Sequence, residues 1–316
     1  MAKTPSADNT ISAFFLSFLR FLKEDFSYKK HIPVYIYTAL IISLIYYFDF
    51  EAWKKSLNLS VFQNTILLTI CYAVSFFLPL LWVMKSVKNK FEYKGILIAA
   101  VFIVFFAFSS SWSPYYSFSY FTESEYHYWY RKFIANASPF FIFLISYLIF
   151  KRQFFSNNET FLWTSTSIKW VRIVLPAIIF VVIIVIIGSQ IGDFGSEYPT
   201  FKYRRTAGDG IMPALQVISF EAAYALDFYA IELLFRGVLV LGLFKYFGKN
   251  VLLPMATLYV FIHYGKPMAE TISSFFGAYL LGYLAMYTRS VLPGTVLHIS
   301  LAWTMELVGA LLFVKM

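Results

Sequence analysis

Two charged residues of opposite sign lie four positions apart in an otherwise apolar stretch of the chain, at Glu232 and Arg236. Residues four apart occupy the same face of an α-helix, so the two side chains are expected to pair. An unpaired charge at membrane depth is costly, and ionisable groups there often mark a functional site. The pair is therefore a candidate for chemistry or for helix packing.

Two histidines follow at the edges of apolar stretches, His263 at the end of one and His298 at the start of another. With Glu232 they supply an acid and two imidazoles, which makes these three residues the candidate catalytic set. Other residues are expected to line the site or to support it, namely Arg236, Asp227, Glu221 and Glu306.

A metal centre is left open by the sequence. His263 and His298 with Asp227 or Glu232 would make a minimal ligand set, but the long gap between the histidines carries no metal-binding spacing. The single cysteine, Cys71, excludes an intrachain disulfide and a cysteine-based metal site. No cofactor is expected. A hydrogen bond that fixes helix packing is the competing explanation for both histidines.

The composition is that of a membrane protein. Of 316 residues, 59% are hydrophobic and 14% are charged, against about 45 to 50% apolar residues in soluble domains. The net charge of +9 does not indicate a nucleic-acid partner, because the basic residues lie between apolar stretches rather than along one strip. Basic loops at an anionic lipid surface explain it better, so membrane lipid is an expected partner.

The apolar stretches predict an all-α polytopic bundle of about eight or nine transmembrane helices, since a span needs roughly 20 residues. Stretch 138–150 is short, and Gly265 and Pro267 interrupt stretch 251–270. The predicted spans are residues 33–50, 64–84, 95–112, 138–150, 171–191, 212–247, 251–270, 271–287 and 292–314.

The first 31 residues lack the order of a signal peptide. Apolar residues recur at helical spacing between Ile11 and Leu22, with Ser17, Arg20 and Glu24 as a narrow polar stripe. This pattern predicts either a helix lying in the membrane interface or a helix packed on the bundle. Residues 32–165 then form an N-terminal transmembrane module.

Orientation follows from the basic residues. With nine spans and an inner N-terminus, 16 Lys and Arg lie on inner segments and nine on outer ones, which predicts a cytoplasmic N-terminus. Lys202, Arg204 and Arg205 lie together on a predicted outer segment, contrary to this bias.

The segment from Trp112 to Trp129 is rich in aromatic residues, as in an interfacial belt or a partner-binding surface. The bacterial inner (cytoplasmic) membrane is the expected location.

Residues 210–305 resemble the CPBP family of CAAX proteases and bacteriocin-processing enzymes. That family carries the motifs E-E-x-x-x-R, F-x-x-x-H and H-x-x-x-N in this order. The chain carries Ile231-Glu232-x-x-x-Arg236, Tyr259-x-x-x-His263 and His298-x-x-x-Ala302. Between the last two, residues 276–283 and 287–293 are similar to the family's small-residue helix and the turn into its final histidine helix. The resemblance makes residues 166–316 a CPBP-like core.

The resemblance implies intramembrane proteolysis, in which the first motif glutamate and the first histidine activate water while the second histidine and the asparagine stabilise the oxyanion. Here Ile231 and Ala302 occupy the glutamate and asparagine positions. Loss of a general base costs about 10² to 10⁴ in rate and loss of an oxyanion donor about 10² to 10³.

Three acids are possible substitutes. Glu232 lies 100° around the helix from Ile231, Asp227 lies one turn before it, and Glu306 lies one turn after Ala302. Three functions stay open: binding of a membrane protein or peptide partner with weak or lost catalysis, active cleavage of membrane-embedded or prenylated peptides, and small-solute transport.

Overall fold

The structure is a computed structural model that describes residues 10–112, 125–155, 161–164, 170–190 and 194–313. These residues are mostly helical and contain no strand, which confirms the predicted all-α bundle. Most of the aromatic segment between Trp112 and Trp129 lies outside the described residues, as do both chain ends.

Eleven helices of seven or more residues make up the described part of the chain, and a π-helix, Leu233–Gly242, directly follows the eighth. The helices are α1 Ile11–Asp25, α2 Tyr28–Tyr47, α3 Phe50–Ser56, α4 Val61–Ser86, α5 Tyr93–Ser111, α6 His127–Phe154, α7 Val171–Gly188, α8 Met212–Glu232, α9 Leu252–Phe261, α10 Met268–Thr288 and α11 Leu292–Phe313.

Five described helices (α4, α5, α6, α7 and α11) are long and apolar enough to cross a membrane, and the bent pair α2 and α3 would make a sixth. This number is lower than the eight or nine spans expected from the sequence. Stretch 251–270 contains α9 with only ten residues, or about 15 Å against a hydrocarbon core of about 30 Å. Stretch 138–150, in contrast, belongs to the 28-residue α6.

The short helix α9 lies at the centre of the bundle, and all ten of its residues are buried. It packs against α2, α4 and α10 and touches the π-helix. Thr257 of α9 and Thr38 of α2 share a hydrogen bond of 3.0 Å between their hydroxyls, so the polar groups of this buried interface satisfy one another. The central position of α9 places its C-terminal residues within reach of several helices.

The π-helix was not expected, because the apolar pattern of residues 212–247 predicts a regular α-helix. Such wide turns are rare and occur often at functional sites. Here the π-helix carries Arg236, and Trp163 lies against Gly237 so closely that a Cβ there would be 2.6 Å from the indole ring. Only glycine permits this approach.

Helix α1 packs on the bundle along one side. Phe14 is buried against α10, and the Ser17 hydroxyl lies 2.7 Å from that of Tyr283. Leu16 and Leu19 stay exposed on the other side. One side of the helix therefore packs on the bundle, which is one of the two predicted arrangements, and its other side is open.

The end of α1 is held by a buried carboxylate. Asp25 accepts hydrogen bonds from Lys30 at 2.6 Å and Tyr279 at 3.2 Å, and Lys249 lies 2.9 Å away. His31 lies 3.5 Å from the second carboxylate oxygen. Burial raises the pKa of Asp25, but hydrogen bonds from His31, Lys30 and Lys249 outweigh it and hold that pKa below its usual value. This cluster joins α1, α2, α10 and the turn before α9.

Candidate functional site

The Glu232 and Arg236 pair stands at the junction of α8 and the π-helix. Nη1 of Arg236 lies 2.9 Å from Oε1 of Glu232, and both side chains are completely buried. Since one buried charge without its partner is strongly unfavourable, each ion holds the other in place. The intrahelical pair expected from the four-residue spacing is therefore present.

His298 binds the same carboxylate oxygen from the opposite wall of the site. Its Nδ1 lies 2.9 Å from Oε1 of Glu232, and α11 presents its ring beside that of Phe228 on α8, with the ring centroids 4.4 Å apart. Because a carboxylate only accepts, Nδ1 of His298 carries the proton. Glu232 thus connects α8 to α11 as well as pairing with Arg236.

Tyr259 of α9 completes this buried cluster. Its hydroxyl lies 3.0 Å from Nε2 of His298, and the Arg236 guanidinium carbon lies 4.7 Å from the centroid of its ring. With Nδ1–H directed at Glu232, the unprotonated Nε2 of His298 accepts a hydrogen bond from the Tyr259 hydroxyl. The sequence shows Tyr259 only as the aromatic position of a motif, and its spacing of 39 residues from His298 predicts no contact.

His263 lies just beyond the end of α9 and is half-buried. Its Nδ1 donates to the Tyr259 backbone carbonyl at 2.7 Å, and its ring centroid lies 4.8 Å from that of Tyr259. The opposite nitrogen, Nε2, therefore lacks the proton in the neutral ring and can accept one. Within the described residues no carboxylate forms an ion pair with His263. Both candidate histidines adjoin Tyr259, while only His298 reaches Glu232.

Residues 213–304 match the family model described as Type II CAAX prenyl endopeptidase Rce1-like. This segment contains every residue of the cluster. Over these residues the chain is similar to the CPBP family. The match spans less than a third of the 316 residues, so the preceding helices lie outside it. No curated protein and no solved structure gave a significant match.

Ile231 and Ala302, which the sequence comparison places at the motif glutamate and asparagine positions, are both packed mainly against apolar side chains. Ile231 lines a small cavity of about 20 Å³ together with Phe102 of α5 and Phe143 of α6. Ala302 is buried in an aromatic cluster that includes Phe201 and Phe220. The residues that line the cavity beside Ile231 include no carboxylate that could replace the motif glutamate.

The other acidic residues do not join the buried cluster of Glu232, Arg236, Tyr259 and His298, which we call the Glu232 cluster. Both carboxylate oxygens of Glu306 accept backbone N–H groups, from Thr200 at 2.7 Å and Phe201 at 3.3 Å, so Glu306 holds the chain that leads to α8. Glu221 buries one carboxylate oxygen without a hydrogen-bond partner among the described residues. Asp227 is half-buried on α8 and has Lys266 as its nearby charge.

Gly294 of α11 packs closely on the second carboxylate oxygen of Glu232, which has no hydrogen-bond partner among the described residues. A Cβ on Gly294 would lie 2.6 Å from Oε2 of Glu232, so this residue of α11 must be small. In the described part of the chain, no group of three or more His, Cys, Asp or Glu side chains could hold a metal ion. The minimal ligand set suggested by the sequence is thus not assembled there.

Proposed function

We propose that this integral membrane protein binds a membrane protein or peptide partner through its CPBP-like core without hydrolysing it. The observation that argues against hydrolysis is the packing of the Glu232 carboxylate. This carboxylate is fully buried and shares one oxygen between Arg236 and His298, 2.9 Å from each. A carboxylate held in this way stabilises packing rather than accepting a proton from water.

The apolar positions support the same conclusion. Water activation in this type of site needs a base beside the attacking water, and the oxyanion needs a preorganised donor. Ile231 is directed to the cavity shared with α5 and α6, and Ala302 is packed among aromatic rings. His263 therefore faces the site without the acid that the family pattern places beside it.

Active proteolysis is the second candidate, because one feature of His263 favours it. The bond from Nδ1 to the Tyr259 carbonyl fixes the ring and leaves Nε2 as the proton acceptor. Asp227, on the α-helix that leads to Glu232, would then have to supply the missing acid.

The two candidates are separated by a combined binding and cleavage assay. The protein, in lipid nanodiscs, is mixed with fluorescent prenylated peptides and with transmembrane peptides, and both anisotropy and product masses are followed. We expect saturable binding of one peptide class with no product. Cleavage that is lost in His263→Ala would support the protease instead, and absence of binding to either class would contradict the proposed partner.

We further propose that the protein resides in the bacterial inner membrane with its N-terminus in the cytoplasm. Counted for the nine spans predicted from the sequence, the excess of Lys and Arg on the inner segments supports this orientation. A compartment reporter fused before Met1, and a second one inserted between Lys85 and Lys94, should both give cytoplasmic signals. A periplasmic signal from both sites would reverse the orientation.

A further inference from the structure

A groove of about 430 Å³ runs between α2 and α4, and none of its lining residues belongs to the Glu232 cluster. This volume is within the range of about 300 to 1,000 Å³ that small-molecule sites occupy. Most of the side chains that line the groove are apolar, and Lys85 is a cationic side chain among them. The lining includes Pro33, Tyr37, Leu78, Pro79, Trp82 and Lys85.

The groove is bridged by two side-chain hydrogen bonds between its helices. Pro33 has no N–H to donate to the carbonyl of Lys29 one turn earlier, and Trp82 of α4 donates to that carbonyl instead, at 3.0 Å. The Tyr37 hydroxyl of α2 donates to the Val74 carbonyl of α4 at 3.2 Å. These bonds fix the spacing of the two helices, so the groove exists before any ligand enters.

Lys85 lines one end of the groove, and the backbone of Lys29 lies beside the lining residue Trp82. Lys29 lies in the first turn of α2 and Lys85 in the last turn of α4, and the Trp82 bond ties these two ends together. Both lysines are exposed, and neither forms an ion pair with a carboxylate among the described residues. An indole beside lysines is typical of the level at which lipid headgroups lie.

We propose that this groove is a binding site for an anionic phospholipid. The acyl chain would lie along the apolar wall that includes Leu78, and the phosphate would lie between the ammonium groups of Lys29 and Lys85. The cationic end favours a negatively charged headgroup over a zwitterionic one. The site shares no residue with the Glu232 cluster, so this proposal can be tested independently of the proposed partner binding.

The test is native mass spectrometry of the full-length protein released from nanodiscs that contain phosphatidylglycerol and phosphatidylcholine in equal amounts. The retained ratio of the two lipids is compared between wild type, Lys85→Ala, and Lys29→Ala with Lys85→Ala. Each lysine near a lipid surface contributes about 1 kcal/mol. The preference for phosphatidylglycerol should therefore fall roughly five-fold in the single variant and roughly thirty-fold in the double variant.

Lys94→Ala is the matched control, because Lys94 is an exposed lysine in the first turn of α5 and does not line the groove. Its lipid ratio should equal that of wild type. All three lysines are exposed, so the substitutions should not impair folding. An unchanged ratio in the double variant, or an equal fall in Lys94→Ala, would overturn the proposal.

A second measurement locates the lipid. Phosphatidylglycerol with a diazirine in its acyl chain is photolysed on the protein, and the crosslinked peptides are mapped. We expect crosslinks in residues 33–37 and 78–85, with few on α7, which is apolar and mostly exposed. Equal labelling of α7 would show that lipid merely surrounds the protein, which would also overturn the proposal.

Discussion

The Tyr259 hydroxyl lies 3.0 Å from Nε2 of His298 and so links the buried helix α9 to the last helix of the bundle. The family pattern has phenylalanine at this position, which makes Tyr259→Phe an informative change. It removes the hydroxyl and leaves a buried imidazole nitrogen without its partner, a loss of about 1 to 3 kcal/mol. Thermal unfolding in detergent should show a lower midpoint for this variant.

The control for that experiment is Tyr37→Phe. In wild type the Tyr37 hydroxyl also donates to a backbone carbonyl of a neighbouring helix, but Val74, which carries this carbonyl, is exposed. We expect a smaller fall in the unfolding midpoint there. Equal midpoints for wild type and Tyr259→Phe would show that the hydroxyl contributes nothing to the cluster.

Arg236→Ala should destabilise the protein strongly. It leaves the buried Glu232 carboxylate with His298 alone, and breaking a buried ion pair commonly costs about 3 to 5 kcal/mol. The yield of monodisperse protein and its unfolding midpoint should both fall. Lys55→Ala is the comparison, because Lys55 pairs with Glu51 at the same four-residue spacing but in solvent, where such pairs contribute little. Similar effects of the two substitutions would contradict a structural role for Arg236.

Gly294→Ala tests the packing around the same carboxylate. The new methyl group would meet Oε2 of Glu232 at 2.6 Å, and the bonds to Oε1 prevent the side chain from moving aside. Overpacking of this kind costs about 1 to 3 kcal/mol. Gly277→Ala in α10 meets nothing within 4 Å, so it should be neutral or slightly stabilising. The prediction fails if Gly294→Ala unfolds at the wild-type temperature.

The Asp25 cluster predicts a loss of stability in acid. The pKa of Asp25 in the folded protein is held below its ordinary value of 3.8, so its stabilising contribution is complete above that pH. It is lost as the pH falls through the lower folded pKa. Lys30, His31, Lys249 and Tyr279 face the carboxylate.

The measurement is the unfolding midpoint at pH 7 and at pH 3 for wild type and Asp25→Asn. Wild type should be the more stable protein at pH 7, and the difference between the two should shrink at pH 3. A difference that stays constant, or that grows in acid, would contradict this account of the cluster.

Local features of the fold could be predicted from the sequence. The apolar composition predicted an all-α membrane bundle, and the four-residue spacing of Glu232 and Arg236 predicted their ion pair, because neighbours on one helix are determined by helix geometry. Five or six described helices meet the length and hydropathy requirements of a span, against the eight or nine predicted. Apolar stretches as short as α9 are buried inside the protein, and hydropathy does not distinguish burial in protein from burial in lipid.

Contacts between distant segments could not be predicted. Nothing in the spacing of Glu232 and His298 shows that they share a hydrogen bond, since that depends on how α8 and α11 pack. The same holds for Tyr259 and for Glu306, which was considered a possible acid of the site but binds the backbone before α8. The π-helix around Arg236 was missed because the apolar pattern of residues 233–242 does not distinguish π from α turns.

Hydrolysis by the unmodified protein is the measurement that tests the central claim most directly. Wild type and His263→Ala are incubated in nanodiscs with prenylated and transmembrane peptides, and products are identified by mass spectrometry. We predict that neither protein yields product above the rate without protein, because the buried Glu232 is committed to Arg236 and His298 while Ile231 and Ala302 offer no replacement. Cleavage by wild type at a defined bond, abolished in a folded His263→Ala variant, would contradict the account.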